Sequence, residues 1–441
     1  MVSVFQAIAA RAIAFSAKAS GFLVPLVFLL AAQPIRAQVF EGTEGCPIGT
    51  QEGGRNFVRN GTFSRNAGTG DGVITAPTAV PANLEFSSGL PYRGDGIYPD
   101  DPVGGLSIQG GPYPIVYAGG VVRADPFPGD SINQVPSSNT FLYSNPSQNV
   151  AGGSAFPNPL VWQQVATGLV PNVAYNFSAY FYNLLSVGTA GAPPVIRYLA
   201  GPPGGADAAF VPNLAGITVS TRQQWTRVQG LFRTAPAQAA LELRIEDEAN
   251  TIIGDDFGFT AAALRECIPN LGVAKQAGTP QENPDGTFTI PYTLVVQNFA
   301  PATTSNQYAI RNLQLQDNLA IAFAGATVNG IRNLQSPTLT VNPGFNGTTD
   351  LNLLIGTDIL AGDTSATVSF EVIITSGRAD NLGSFENTAI ATGLSPGGEP
   401  ISDRSTDGSN PDPNGDRNPS DRGEDIPTSV SLLPARLRLA K

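Results

Sequence analysis

Seven carboxylates crowd the stretch between Ser402 and Asp425: Asp403, Asp407, Asp412, Asp416, Asp421, Glu424 and Asp425. Asn410, Asn414, glycines and prolines lie between them, and only Arg404, Arg417 and Arg422 offset the charge. Calcium takes roughly six to eight oxygen ligands in irregular geometry, so hard donors at this density on a bendable chain suit it. Asp403, Asp407, Asp412, Asn414 and Asp416 are the candidate ligands of one calcium site; a solvated acidic loop is the other reading of the same run. Asp412-Pro413-Asn414-Gly415-Asp416 lacks the regular ligand spacing and flanking helices of a helical calcium hand.

A second group of residues has the chemistry of sugar recognition, which needs aromatic faces for stacking and carboxylates or amides for hydroxyls. Tyr92, Tyr98, Tyr113 and Tyr117 alternate with Asp95, Asp100 and Asp101 in a Gly/Pro-rich stretch, and Tyr180 and Tyr182 share the polar face of a strand. Tyr180 and Tyr182 lead as candidate ligand contacts, followed by Tyr92 and Tyr98. The same tyrosines could instead cover the edge of a sandwich, and Trp162 and Trp225 are assigned to the core.

Other chemistry is excluded by composition. The chain has no histidine, which removes imidazole acid–base catalysis, Ser-His-Asp and Cys-His arrangements and His-containing zinc sites. Two cysteines cannot build a thiolate metal centre. Asp255 and Asp256 are adjacent on a strand and so point to opposite faces, which disqualifies them as a glycosidase pair. Gly68-Thr69-Gly70-Asp71-Gly72 lacks the lysine and helix of a phosphate loop. No catalytic residues are assigned.

The N-terminal 37 residues explain where the protein works. Arg11 and Lys18 precede an apolar run from Phe22 to Ala32, then Pro34 and Ala37. The run is too short for a span of about 20 residues and reads as a secretory signal cleaved after Ala37, with no transmembrane anchor in the mature chain. Because all 35 acidic residues lie beyond Ala37 and three of the 24 basic ones before it, the exported chain carries a net charge of −14. Lys275 and Lys441 are its only lysines, so nucleic acid is not an expected partner. In an oxidising compartment Cys46 and Cys267 are expected to pair, closing the first and last strands of the first domain; two free buried thiols are the alternative.

The elements that must position these groups are strands. Val173, Tyr175, Phe177, Ala179 and Phe181 alternate with Ala174, Asn176, Ser178, Tyr180 and Tyr182. Trp225 to Arg233 follows, then Ala239 to Glu246 with Leu241, Leu243 and Ile245 inward and Glu242, Arg244 and Glu246 outward, then Gly254 to Phe259. After Cys267 the pattern restarts. Phe288, Ile290, Tyr292, Leu294 and Val296 share one face, as do Ala366, Val368, Phe370, Val372 and Ile374, and a third strand spans Phe385 to Thr392.

Taken in order, Asn56-Phe57-Val58-Arg59-Asn60-Gly61-Thr62-Phe63, Trp162-Gln163-Gln164-Val165, the turn at Gly168 to Asn172, the strand through Phe181, Trp225 to Phe232 and Gly254-Asp255-Asp256-Phe257 resemble the galactose-binding-like jelly rolls of bacterial carbohydrate-binding modules. The resemblance implies a structural calcium. Asp256 matches its late acid, but Thr62 and Ser64 stand where an early acid is common. Tyr292-Thr293-Leu294-Val295-Val296-Gln297-Asn298, Leu315-Gln316-Asp317-Asn318-Leu319, Asn387-Thr388-Ala389 and Asp403-Arg404-Ser405-Thr406-Asp407-Gly408 resemble the conserved repeat domain of bacterial surface proteins, an immunoglobulin-like spacer. The expected architecture is all-β. A signal peptide (1–37) leads into a jelly-roll β-sandwich (38–267), an immunoglobulin-like β-sandwich with the acidic loop (268–432) and a tail (433–441). The expected role is a secreted or cell-surface, non-catalytic adhesion protein that binds polysaccharide or cell-surface glycan, with calcium as its cofactor; a purely structural spacer is the alternative.

Overall fold

The computed structural model describes residues 38–39, 45–63, 80, 82–90, 92, 105–110, 140–145, 160–184, 190–212, 216–222, 224–248, 256–303, 306–377 and 383–432. The expected signal peptide (1–37), Ser64, Asp95, Tyr98, Asp100, Asp101, Tyr113, Tyr117, Asp255 and the expected tail (433–441) lie outside the described residues. Among those described, the fold is all-β, the one α-helix being the single turn Leu319–Ala322, which Asn318 caps by accepting from Ile321 N at 3.1 Å. No described helix is long and apolar enough to cross a membrane.

Two sheets face each other in the first half. One runs in the order Gln38–Val39, Trp225–Arg233, Ala174–Asn183, Phe257–Pro269, Thr140–Asn145, Gly105–Gly110, with Thr50–Glu52 also paired to Phe257–Pro269. The other runs Leu160–Thr167, Ala240–Asp247, Val195–Gly201, Val211–Pro212, with Ile217–Thr218 on Val195–Gly201. Their facing sides bury Phe177, Phe181, Phe259, Trp162, Tyr198, Leu243 and Ile245 as one core, which is why the period-2 apolar residues of each strand could be recognised beforehand. Trp162 stacks on Phe177 at 5.7 Å between centroids.

The charged side of Ala240–Asp247 differs from expectation. Glu242, Arg244 and Glu246 are buried rather than solvated. The loop around Asp207 folds over them: Arg244 pairs with Asp207 at 3.0 Å and Glu242 at 2.9 Å and lies over the Phe210 ring, while Gly204 N donates to Glu242 at 2.8 Å. Alternation assigns a face to each residue but does not say what covers that face.

The second half has a separate core. One sheet runs Thr327–Gln335, Thr364–Thr375, Phe288–Asn298, Leu271–Ala277, Thr406–Asp407, and another Asp358–Leu360, Ile310–Asp317, Ala389–Leu394, Pro400–Arg404. Gly383–Asn387 pairs with Thr428–Leu432. Phe288–Asn298 alternates buried and half-buried residues along its whole length, placing Phe288, Ile290, Tyr292, Leu294 and Val296 in the core beside Val368, Phe370 and Val372.

The two cores meet at one strand line. Phe257–Pro269 and Leu271–Ala277 are separated only by Asn270, whose N donates to Gly49 O and whose O accepts from Phe299 N, both at 3.0 Å. Gly49 has φ +83, and a Cβ there would sit 2.0 Å from Phe299 O, so only glycine fits. Glu266 is buried here and accepts from Gly397 N at 2.9 Å; burial pushes its carboxyl up to about 7.

Cys46 is bonded to Cys267, with Cα atoms 5.4 Å apart, next to the pairing of Thr50–Glu52 with Phe257–Pro269. The bridge spans 221 residues, a separation at which the chain-entropy relation assigns about 5 kcal/mol. Cys46→Ser with Cys267→Ser is therefore expected to lower unfolding free energy by about 4 to 5 kcal/mol in urea titration, and a loss below about 1 kcal/mol would refute this account.

Candidate binding face on the first sheet

The sheet that carries Ala174–Asn183 has two faces, and alternation divides its residues between them. Phe177, Ala179 and Phe181 enter the core, so Asn176, Ser178, Tyr180 and Tyr182 lie on the other side. The register fixes their neighbours. Tyr182 stands opposite Trp225 and Gly258, Tyr180 opposite Arg227 and Thr260, and Ser178 opposite Gln229 and Ala263.

The Tyr182 end of this face is closed. Tyr182 is 1% exposed, its ring 5.2 Å from Trp225, and Phe141 and Tyr143 complete the cluster. A Cβ at Gly258 would lie 2.7 Å from the Phe141 ring, so glycine there lets that ring lie against the strand. Tyr92 is also enclosed, at 0%, within the main core. Both tyrosines were expected in an open stacking platform, and burial removes them from it. Trp225, assigned to the core, is instead half-buried on the outer face.

The open part of the face centres on Tyr180, which is half-buried, and the exposed Arg227 beside it. Arg227 pairs with Glu52 and donates to Ser178 Oγ at 3.1 Å; Asn176 Nδ2 donates to Glu52 and, at 3.3 Å, to Gln229 Oε1. The result is an aromatic ring bordered by a guanidinium, a carboxylate and two amides on rigid strands. Such a strip can stack against a sugar ring and bond its hydroxyls. Arg227, Gln229 and Glu52 escaped the sequence reading because each is an isolated polar residue; the alternation of Trp225–Arg233 would have placed the first two beside Tyr180.

The five candidate residues of the acidic loop are divided between strands and turns. Asp403 is buried on Pro400–Arg404 and accepts from Val273 N at 2.8 Å, with burial first and the charges of Asp425 and Glu424 next pushing its carboxyl up to about 7. Asp407 is exposed on the short strand paired to Leu271–Ala277. Asp412 uses both oxygens locally, accepting from Gly415 N at 3.0 Å and Arg417 N at 2.8 Å, and Asn414 and Asp416 each accept from the N–H two residues on. These are turn-forming bonds of Asx type. Among the described residues no three carboxylate, thiol or imidazole groups are placed to hold a metal ion, although Asp412, Asp416 and Asp421 stand near enough to Glu424 for their charges, after burial, to push its carboxyl up. Asp256 stands at the start of Phe257–Pro269, where its carbonyl accepts from Leu184 N.

No family model matches the sequence, and no curated protein matches it. Among solved structures, the CBM22-1 xylan-binding domain of Xyn10C from Paenibacillus barcinonensis is 17% identical, covering 31% of this chain and 78% of its own at a TM-score of 0.21. A family 16 carbohydrate-binding module is 18% identical over 30% of this chain and 82% of its own at a TM-score of 0.18. The sugar-binding C-terminal domain of EclA is 17% identical over 24% and 68% at 0.20. Each of these likenesses covers less than a third of the chain.

Glu266 and Asp403 make stability pH-dependent. Their folded pKa of about 7 lies above the ordinary carboxyl values of 4.5 and 3.8, so the fold favours the protonated forms. Stability is complete below the ordinary values and is lost as pH rises from them through about 7. The melting temperature is expected to fall between about pH 4 and pH 7, and Glu266→Gln with Asp403→Asn to flatten that fall; an equally steep decline in the double variant would contradict the assignment.

Proposed function

We propose that the chain is an exported, non-catalytic surface or extracellular-matrix protein that binds polysaccharide or cell-surface glycan through the outer face of its first sheet. The observation that carries this reading is the juxtaposition of Tyr180 with Arg227 across one strand pair, flanked by Gln229 and the Glu52 carboxylate. Residues 38–267 form the binding domain of this proposal, and residues 268–432 an immunoglobulin-like spacer that presents it. The signal-like N-terminus and the absence of histidine support export and a non-catalytic role. A purely structural spacer is the second reading, favoured by the enclosure of Tyr182 and by the neutralisation of Arg227 within its own ion pair.

A glycan array probed with the full chain separates the two. Binding to a defined glycan class is expected, weakened about tenfold by Tyr180→Ala and again by Arg227→Ala, about 1.4 kcal/mol each. A folded chain that binds no glycan, or binding indifferent to both substitutions, would leave the structural reading in its place.

A further inference from the structure

Deep in the second half, three buried polar side chains meet between its strands. Lys275, on Leu271–Ala277, and Asp317, at the end of Ile310–Asp317, are both 0% exposed, and Asn387, ending Gly383–Asn387, is 1% exposed. Lys275 Nζ is bonded to Asp317 Oδ2, and Asn387 Nδ2 reaches the same oxygen at 3.5 Å. The ammonium nitrogen also lies 4.6 Å from the centre of the Tyr292 ring, which stacks on Phe370. Asp317 Oδ1 and Asn387 Oδ1 are buried and without a well-formed hydrogen bond among the described residues, as is the Tyr292 hydroxyl, which lies close enough to Asn387 to interact with its side chain.

A buried ion pair that served only to hold strands together would have its remaining lone pairs satisfied, because an unpaired buried oxygen is costly. Here two are left bare, and an amine, a carboxyl and a carboxamide converge on one point. We infer that Lys275 and Asn387 become joined by a side-chain amide bond, formed within the folded chain with Asp317 as the proton-transferring group.

The chemistry balances without any added reagent. Burial drives Lys275 towards the neutral amine and Asp317 towards the neutral acid, so the pair holds one shared proton as amine and carboxylic acid. The Nζ lone pair attacks Asn387 Cγ, forming the C–N bond, while Asp317 gives its proton to the developing oxyanion at Oδ1. The Asp317 carboxylate then takes a proton from Nζ and passes it to Nδ2. The Cγ–Nδ2 bond breaks, ammonia leaves, and the hydroxyl proton returns to Asp317 as the carbonyl re-forms. One amine and one carboxamide become one secondary amide and one ammonia, and Asp317 is unchanged. Because its Oδ2 touches both nitrogens, Asp317 stands between the nucleophile and the leaving group, where the shuttle must be. Attack on Asp317 itself would consume that shuttle, and a carboxamide could not replace it.

The bond would tie the strand that opens the second sandwich to the strand paired with its last one, Thr428–Leu432. Thr428 Oγ1 already donates to Lys275 O at 2.7 Å, so the three strands are in contact before any bond forms.

Mass spectrometry of the full chain tests the inference, on both the intact protein and its tryptic peptides. The expected result is a mass lower by one ammonia once the disulfide is counted, with a branched peptide joining Lys275 to Asn387. Asn387→Asp is expected to lose water instead, and Lys275→Met and Asp317→Ala to lose nothing. A folded natural chain of unreduced mass, with linear peptides through Lys275 and Asn387, overturns the proposal. Loss of water from the natural chain also overturns it, since that would put the bond on Asp317.

Discussion

A single strand line runs through the middle of the protein, and the rest of the structure is built on either side of it. Residues 257–269 close the first core with Phe257, Phe259 and Leu264, and residues 271–277 open the second with Leu271 and Val273. Only Asn270 separates them. The chain thus has no slack in which the two cores could drift, and the groups at the crossing must satisfy one another. Gly49 and Phe299 bond to Asn270 from two sides, Gly397 binds the buried Glu266, and Cys267 is held by Cys46.

Rigidity at the crossing is matched by buried charge away from it. Glu242 and Arg244 are enclosed under the Asp207 loop, and Lys275 and Asp317 are enclosed between sheets. The two pairs differ in how well they are satisfied. Arg244 spreads its guanidinium over two carboxylates and a phenyl ring, the arrangement that makes an enclosed arginine tolerable. The Lys275 group leaves buried oxygens of Asp317 and Asn387 without a hydrogen-bond partner among the described residues, and the proposed amide bond rests on that difference.

The face beside Tyr180 has a different character. It lies on the side of the sheet away from the first core, and its aromatic end is packed by Phe141, Tyr143 and Trp225 while Tyr180 is half-buried and Arg227 exposed, with Asn176 and Ser178 buried beneath them. A strand presents every second residue to such a face at fixed spacing, so its specificity would rest on the backbone and not on a mobile loop.

Most strand positions and the two cores were legible in the amino-acid sequence because burial follows period 2: Phe288 to Val296, Ala366 to Ile374 and Tyr175 to Phe181 all face inward as their alternation implies, whereas the expected single strand Phe385 to Thr392 is divided at Thr388 between two sheets. The pairing of Cys46 with Cys267 was legible too, from an even cysteine count and the oxidising compartment that a signal-like N-terminus implies. What covers an outward face was not. Tyr182, Tyr92, Glu242 and Asp403 are buried by segments distant in sequence, and no local pattern encodes that contact. Asp412 spends both its oxygens on its own turn, a use set by backbone geometry and invisible in a count of carboxylates. Likewise Lys275, Asp317 and Asn387 are ordinary residues until three strands bring them together. Composition and periodicity therefore determined which faces are apolar and which chemistry is absent, whereas tertiary structure alone decided which polar groups meet, because a meeting depends on chain crossings rather than on neighbours in sequence.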